Sequence, residues 1–142
     1  MSQFPSRSID RGLLLIRVAL GLVFVMHGWQ KLAVFGLAGT AGFLGELGVP
    51  APTLNAALLI AVELGGGALL AAGALTRVAG ALLAFAMAVA TIAAHGAGGF
   101  FLPTGYEFAL TLGLISLAIA FTGAGRYSVD ARLFGGETAA TA

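Results

Sequence analysis

Between Arg17 and Leu32 the sequence reads RVALGLVFVMHGWQKL, a long apolar run that nevertheless carries Arg17, His27 and Lys31. An ionisable side chain at the centre of a bilayer costs roughly 2.5–3.5 kcal/mol on insertion scales. Such residues persist where they face the inside of a helix assembly and find partners there. The rest of the chain is expected to supply those partners.

A bilayer is the setting that composition requires. The 142 residues are 59 % hydrophobic and 9 % charged, with a mean hydropathy of +1.01. A single soluble domain of that length could not hide so much apolar surface. The net charge of +1 argues against nucleic acid as a partner. The chain has no cysteine, which removes disulfides, thiolate metal sites and any thiol–disulfide relay of its own. No metal is expected. Basic residues precede the first apolar run, as in a signal peptide, but no small-residue cleavage site follows, so the first helix is expected to stay.

The fold expected is all-α: an integral membrane four-helix bundle over residues 12–123, between tails at 1–11 and 124–142. Helix one is predicted from Gly12 to Phe35. At about 100° per residue, Arg17 and Lys31 lie about 40° apart in projection and His27 within about 80° of Arg17, so all three share a face. Trp29 falls toward the far end, where indole favours the interface. The stretch GLAGTAGFLGELGVPA, Gly36 to Ala51, is too broken by glycine to span. Thr40 is read as the cap of a short surface helix that lays Phe43, Leu44 and Leu47 on the membrane and points Glu46 to water.

Helix two is predicted from Thr53 to Ala72 with Glu63 near its middle. Its inner face runs through Ala56, Leu59, Gly66, Gly67 and Leu70. Glycines at 65 to 67 beside a buried carboxylate indicate close approach by another helix or a ligand. Gly73 suits the C-cap and Thr76 the next N-cap. Helix three runs from Arg77 to His95 behind a ridge of Gly80, Ala84, Ala88 and Thr91. GAGGFFLPTGY, Gly96 to Tyr106, reads as a lid. Helix four begins near Glu107 and ends near Gly123. The tail from Ala124 holds Arg126, Asp130 and Arg132, then fades into Thr and Ala with no packing signal.

Arginines 7, 11, 77, 126 and 132 fall on one side of four crossings, and only Lys31 on the other. Both termini are therefore expected to be cytoplasmic, in a multi-pass protein of the cell membrane. At about 1.5 Å per residue, Glu63 lies near the midplane, His27 just outside it and Lys31 about 6 Å further out. His95 and Glu107 close the outer ends of helices three and four. These groups predict a polar cavity open to the outer leaflet and roofed by Phe100, Phe101 and Tyr106. Glu63 and His27 are the candidate catalytic pair. Lys31, His95, Glu107, Gly66, Gly67, Tyr106 and Arg17 are candidate ligand-binding residues. The bland alternatives are that Lys31 snorkels, that Arg17 anchors the inner edge, and that His95 and Glu107 are interfacial caps.

Four stretches in order carry a family likeness: HGWQKL (27–32), VELGGGALLAAGALTR (62–77), GYEF (105–108) and GAGRYSVD (123–130). Together they resemble the DoxX family of small four-helix membrane proteins, over nearly all the chain from Arg17 to Asp130. The resemblance implies an oxidoreductase function, by kinship with a subunit of thiosulfate:quinone oxidoreductase and terminal quinol oxidase systems. It also implies that a soluble redox enzyme at the cytoplasmic face is a candidate partner, and that Arg126 and Asp130 fix the final turn. Three functional readings remain open beside the bilayer itself as partner. One is a site for a quinone, a quinol or another small lipophilic redox molecule. A second is a non-catalytic anchor for a soluble enzyme. A third is a proton pathway or small transporter, disfavoured by the lack of an inverted repeat. Haem held by His27 and His95 is a minor fourth. The sequence leaves open whether copies of the chain associate.

Overall fold

In lipid, backbone groups must be satisfied within the chain, and a helix does this locally. The computed structural model describes residues 6–134, and every regular element among them is helical. Helix α1 (Ser6–Trp29) continues through a π-helical turn, Gln30–Phe35, into α2 (Gly36–Glu46). Helix α3 (Pro52–Ala61) passes through a second π-turn, Val62–Gly66, into α4 (Gly67–Ala72). Helix α5 (Thr76–Val89) ends in a third, Ala90–Ala94. A short 3₁₀ turn (Gly96–Gly98) leads to α6 (Glu107–Thr122), and α7 (Val129–Phe134) follows. Two of the rods, Pro52–Ala72 and Thr76–Ala94, are long and apolar enough to cross a membrane, and α6 is a shorter apolar helix.

The rods pack in pairs. Helices α5 and α6 share the most extensive interface, and α1 lies along α4 and the π-turn before it. Leu20, Phe24, Leu70, Leu83 and Ile119 form the buried centre. The outer faces carry Leu15, Leu22, Leu58, Val78, Phe85, Ile92 and Phe121, all exposed. A greasy outside around a small, close-packed inside is what a lipid solvent permits. The packing depends on glycine: a Cβ on Gly67 would stand 2.9 Å from the Gly21 carbonyl and 2.9 Å from the Phe24 Cβ. On Gly80 it would meet the Ser116 carbonyl at 2.9 Å.

Several expectations are corrected. Helix α1 begins at Ser6 instead of Gly12, because nothing from Ser6 to Arg11 breaks a helix and Asp10 has a partner in the last turn, the Arg126 N–H at 2.9 Å. Residues 1–5 of the expected tail lie outside the described residues. Thr40 does not cap α2; it is buried inside the helix and its hydroxyl donates to the Lys31 carbonyl at 3.2 Å. Glu46 is exposed, as expected. The C-cap at Gly73 is present, with φ of +71°. Thr76 is not the cap of α5: Leu75 holds that position, and Asp130 accepts the Leu75 and Thr76 N–H groups at 2.7 and 2.9 Å.

The ridge on α5 is also shifted. Its buried stripe is Thr76, Ala79, Gly80, Leu83 and Met87, while Ala88 is exposed. The final turn is tied to the helices by the Tyr127 and Asp130 contacts and buries Ser128, while α7 buries no residue; the Thr/Ala stretch read as lacking a packing signal falls in 135–142, outside the described residues. The segment between α5 and α6 folds back on itself. Tyr106 N–H donates to the Gly99 carbonyl and Glu107 N–H to Phe100, each at 2.9 Å.

Candidate functional site

Glu63 is 2 % exposed and sits inside the second π-turn, where α1 crosses it at Gly28. Lys31 lies in the first π-turn and reaches it: Nζ donates to Oε2 at 2.7 Å and to Oε1 at 3.0 Å. This is the one ion pair among the described residues. A lysine stem suits the contact because its methylenes lie along apolar helix surface while the ammonium bends inward. Removing either charge would leave the other uncompensated in a low-dielectric interior. The snorkelling alternative for Lys31 is therefore set aside in favour of an inward partner.

The π-turns have chemical consequences. Each inserts an extra residue per turn, loosens the local backbone ladder and re-aims the side chains it carries, which is why such turns recur at functional sites. Here they hold both members of the buried pair, and the third ends at His95. His27, on the last turn of α1, is half-buried; Lys31 and Glu63 are its charged neighbours. Its ring is tilted against Phe108 with centroids 5.9 Å apart. Met26, His27, Trp29, Gln30 and Val34 line a cleft of about 350 Å³ on the same stretch.

The remaining candidates fall elsewhere. Gly66 faces Leu83, whose Cγ would stand 3.3 Å from an added Cβ, and Gly67 is closed by α1. Both are helix contacts; Gly65 is the glycine that keeps an open side. Glu107 accepts the Leu102 N–H at 2.9 Å and so holds the loop between α5 and α6. Tyr106 stacks edge-on against Phe100 with centroids 5.6 Å apart. His95 is half-buried at the end of its π-turn. The cluster brought together is thus Lys31, Glu63 and His27, with Glu107 and Tyr106 engaged in the loop.

Arg17, midway along α1, belongs to a second centre that faces the final turn. It is fully buried, donating to the Leu70 carbonyl at 3.3 Å and the Tyr127 carbonyl at 2.6 Å. It therefore bolts α1 and α4 to the last turn, which a snorkelling anchor would not do. Burial pushes the Asp130 carboxyl upward, but the Thr76 and Leu75 amides and the Arg17 charge outweigh it and hold it below its ordinary value. Sequence reasoning placed Asp130 in the turn and missed its role as the cap of α5. No local signal marks that role, because Asp130 lies 54 residues from the amide it holds.

Fold and site together define a small helical membrane protein built around a buried lysine–glutamate pair. The chain belongs to the DoxX family, whose pattern matches residues 12–96. It is 34 % identical over 93 % of its length, and 94 % of the relative's, to a Bacillus subtilis protein named "Putative oxidoreductase CatD". It is 33 % identical, over 85 % of its length and 91 % of the relative's, to the inner membrane protein YqjF of Escherichia coli. An uncharacterized membrane protein of Mycobacterium tuberculosis, Rv3486, shares 35 % identity over 83 % of this chain and 78 % of its own. No solved structure matches at a significant level.

Proposed function

We propose that the chain crosses the membrane four times and that Lys31, Glu63 and His27 form a proton-exchanging site for a quinone, a quinol or a similar small lipophilic redox molecule, as part of an oxidoreductase. The observation that carries this reading is the buried Lys31–Glu63 pair, both of whose members sit in π-turns beside His27. The donor set fits the ligand class: an ammonium and an imidazole donate to carbonyl oxygens, and a carboxylate takes or returns a proton. A bound quinone supplies the two-electron chemistry, with electrons coming from a substrate or a partner enzyme. The chain's residues bind, orient and move protons. His27, at the cleft shared with Met26 and Trp29, is the member that meets a ligand arriving from the lipid side. Glu63, engaged through both oxygens, is released when Lys31 turns to a new acceptor.

The test is binding of decylubiquinone by the full chain in nanodiscs, and its reduction in native membranes that retain the cell's own electron donors, together with the Glu63→Gln and His27→Ala variants. Loss of binding or of quinone-linked reduction in both variants supports the site. Unchanged values in both would remove it. A second reading draws on the closure of the pair itself, because a self-satisfied ion pair is also helix glue in a non-catalytic anchor. A stoichiometric soluble redox enzyme co-purifying with a quinone-free chain would favour that reading.

A further inference from the structure

The end of the molecule that carries Arg17 holds a feature the redox reading does not use. Leu14, Ala72, Arg126, Tyr127, Ser128, Val129 and Arg132 line a cleft of about 360 Å³. Its walls are of two kinds. Leu14 and Ala72 come from membrane rods, α1 and α4, while Arg126 and Arg132 come from the polar final turn and α7. Among the described residues neither guanidinium has an ion pair or a side-chain hydrogen bond; at Arg126 only the backbone N–H is engaged, by Asp10. The carboxylates of this end are committed: Asp10 holds Arg126 N–H, and Asp130 holds the start of α5. Arginines 7, 11, 17, 77, 126 and 132 face only these two aspartates among the described residues at this end, so a net positive field surrounds the cleft.

We propose that this cleft binds the phosphate of an anionic phospholipid. Arg126 and Arg132 hold the phosphate, and Leu14, Ala72 and Val129 lie along the first carbons of the tails. A guanidinium presents a planar fork of donors that matches phosphate oxygens and is weakly hydrated, so it suits a half-wet rim better than lysine. The apolar walls on α1 and α4 select a lipid over a free anion. Such a lipid would brace the Arg17–Tyr127 bolt from outside, since Tyr127 contributes both the carbonyl that Arg17 holds and a wall of the cleft.

The experiment uses the full chain in phosphatidylcholine nanodiscs, titrated with dioleoylphosphatidylglycerol and read by native mass spectrometry for retained lipid. The unsubstituted chain is expected to retain phosphatidylglycerol over phosphatidylcholine. With each surface arginine worth on the order of 1 kcal/mol toward anionic lipid, Arg126→Gln/Arg132→Gln should lower that preference roughly 10- to 30-fold. Arg7→Gln/Arg11→Gln removes the same charge from the same end but outside the cleft, and should leave the preference within about 3-fold. Arg132→Gln alone breaks no bond among the described residues and serves if the double variant does not fold. No preference in the unsubstituted chain, or equal loss in both double variants, would overturn the site. Displacement of phosphatidylglycerol by millimolar inorganic phosphate would overturn the lipid assignment.

Discussion

Glu63 and Lys31 each make sense only through the other. The carboxylate is nearly dry, and both its oxygens are taken by one ammonium. Glu63→Gln leaves Lys31 charged without a counter-ion, and truncating a buried pair on one side costs about 3–5 kcal/mol. The low end of that range is expected, because Lys31 keeps a fifth of its side chain exposed and can turn outward. The double variant Lys31→Met/Glu63→Leu removes both charges together, and such replacements are often neutral or stabilising. It should therefore recover most of the thermal stability lost by Glu63→Gln, measured in one lipid at one pH, while failing to bind decylubiquinone. Recovery of both stability and binding would make the pair packing only.

The residues of this pair were legible in the sequence, because a lysine and a glutamate inside apolar runs have few other ways to exist. Their geometry was not. The depth estimate of one regular rise per residue placed Lys31 above Glu63, whereas two π-turns re-aim the side chains so that they touch. A π-turn leaves no compositional mark, so helical periodicity cannot announce it.

At the scale of elements, a distant side chain decides whether a helix starts well. Thr76 is the first residue of α5 and Leu75 holds the cap position, yet the amides of both are taken by Asp130 from α7. Threonine and glycine positions are readable locally, and so Gly73 was correctly placed; a cap arriving through tertiary contact is not readable. The Asp130 carboxyl is held below its ordinary value in the fold, so its contribution is complete above the ordinary carboxylate range, about pH 4. It is lost as pH falls through the lowered folded value. Asp130→Asn should cost about 1–2 kcal/mol near neutrality, the worth of an N-cap with charge assistance. It should also flatten the acid limb of a stability-against-pH profile taken by thermal unfolding. An acid limb identical in the variant would assign that lability to another group.

The glycine contacts belong to the same scale. Gly67 and Gly21 let α1 and α4 approach backbone to backbone, where a Cβ at Gly67 would stand 2.9 Å from a carbonyl. Gly67→Val should open that seam and destabilise by about 1–3 kcal/mol, as overpacking does. Gly65→Ala meets nothing within 4 Å and should be silent in unfolding measurements. The pair of variants separates crowding at the α1–α4 seam from a general intolerance of added side chains along these glycines.

For the whole molecule, the arginine distribution predicts an orientation that labelling can test. Arginines 7, 11, 77, 126 and 132 gather at the end that holds α7, and the loop of Phe100, Phe101 and Tyr106 lies at the other end of α5 and α6. Positive residues in short connections stay on the cytoplasmic side, so α7 is expected inside and the aromatic loop outside. The native chain has no cysteine, so single cysteines report position without background. Phe101→Cys and Leu133→Cys are suited to this, since both side chains are exposed at opposite ends. In intact cells a membrane-impermeant maleimide should label Phe101→Cys, and Leu133→Cys only after permeabilisation. Labelling of both positions from outside would require an even number of crossings between them, where α6 supplies one, and would break the four-crossing arrangement. The reverse pattern would keep the four rods and invert them, placing the arginine-lined cleft in the outer leaflet and leaving the Lys31–Glu63 pair closer to the cytoplasm.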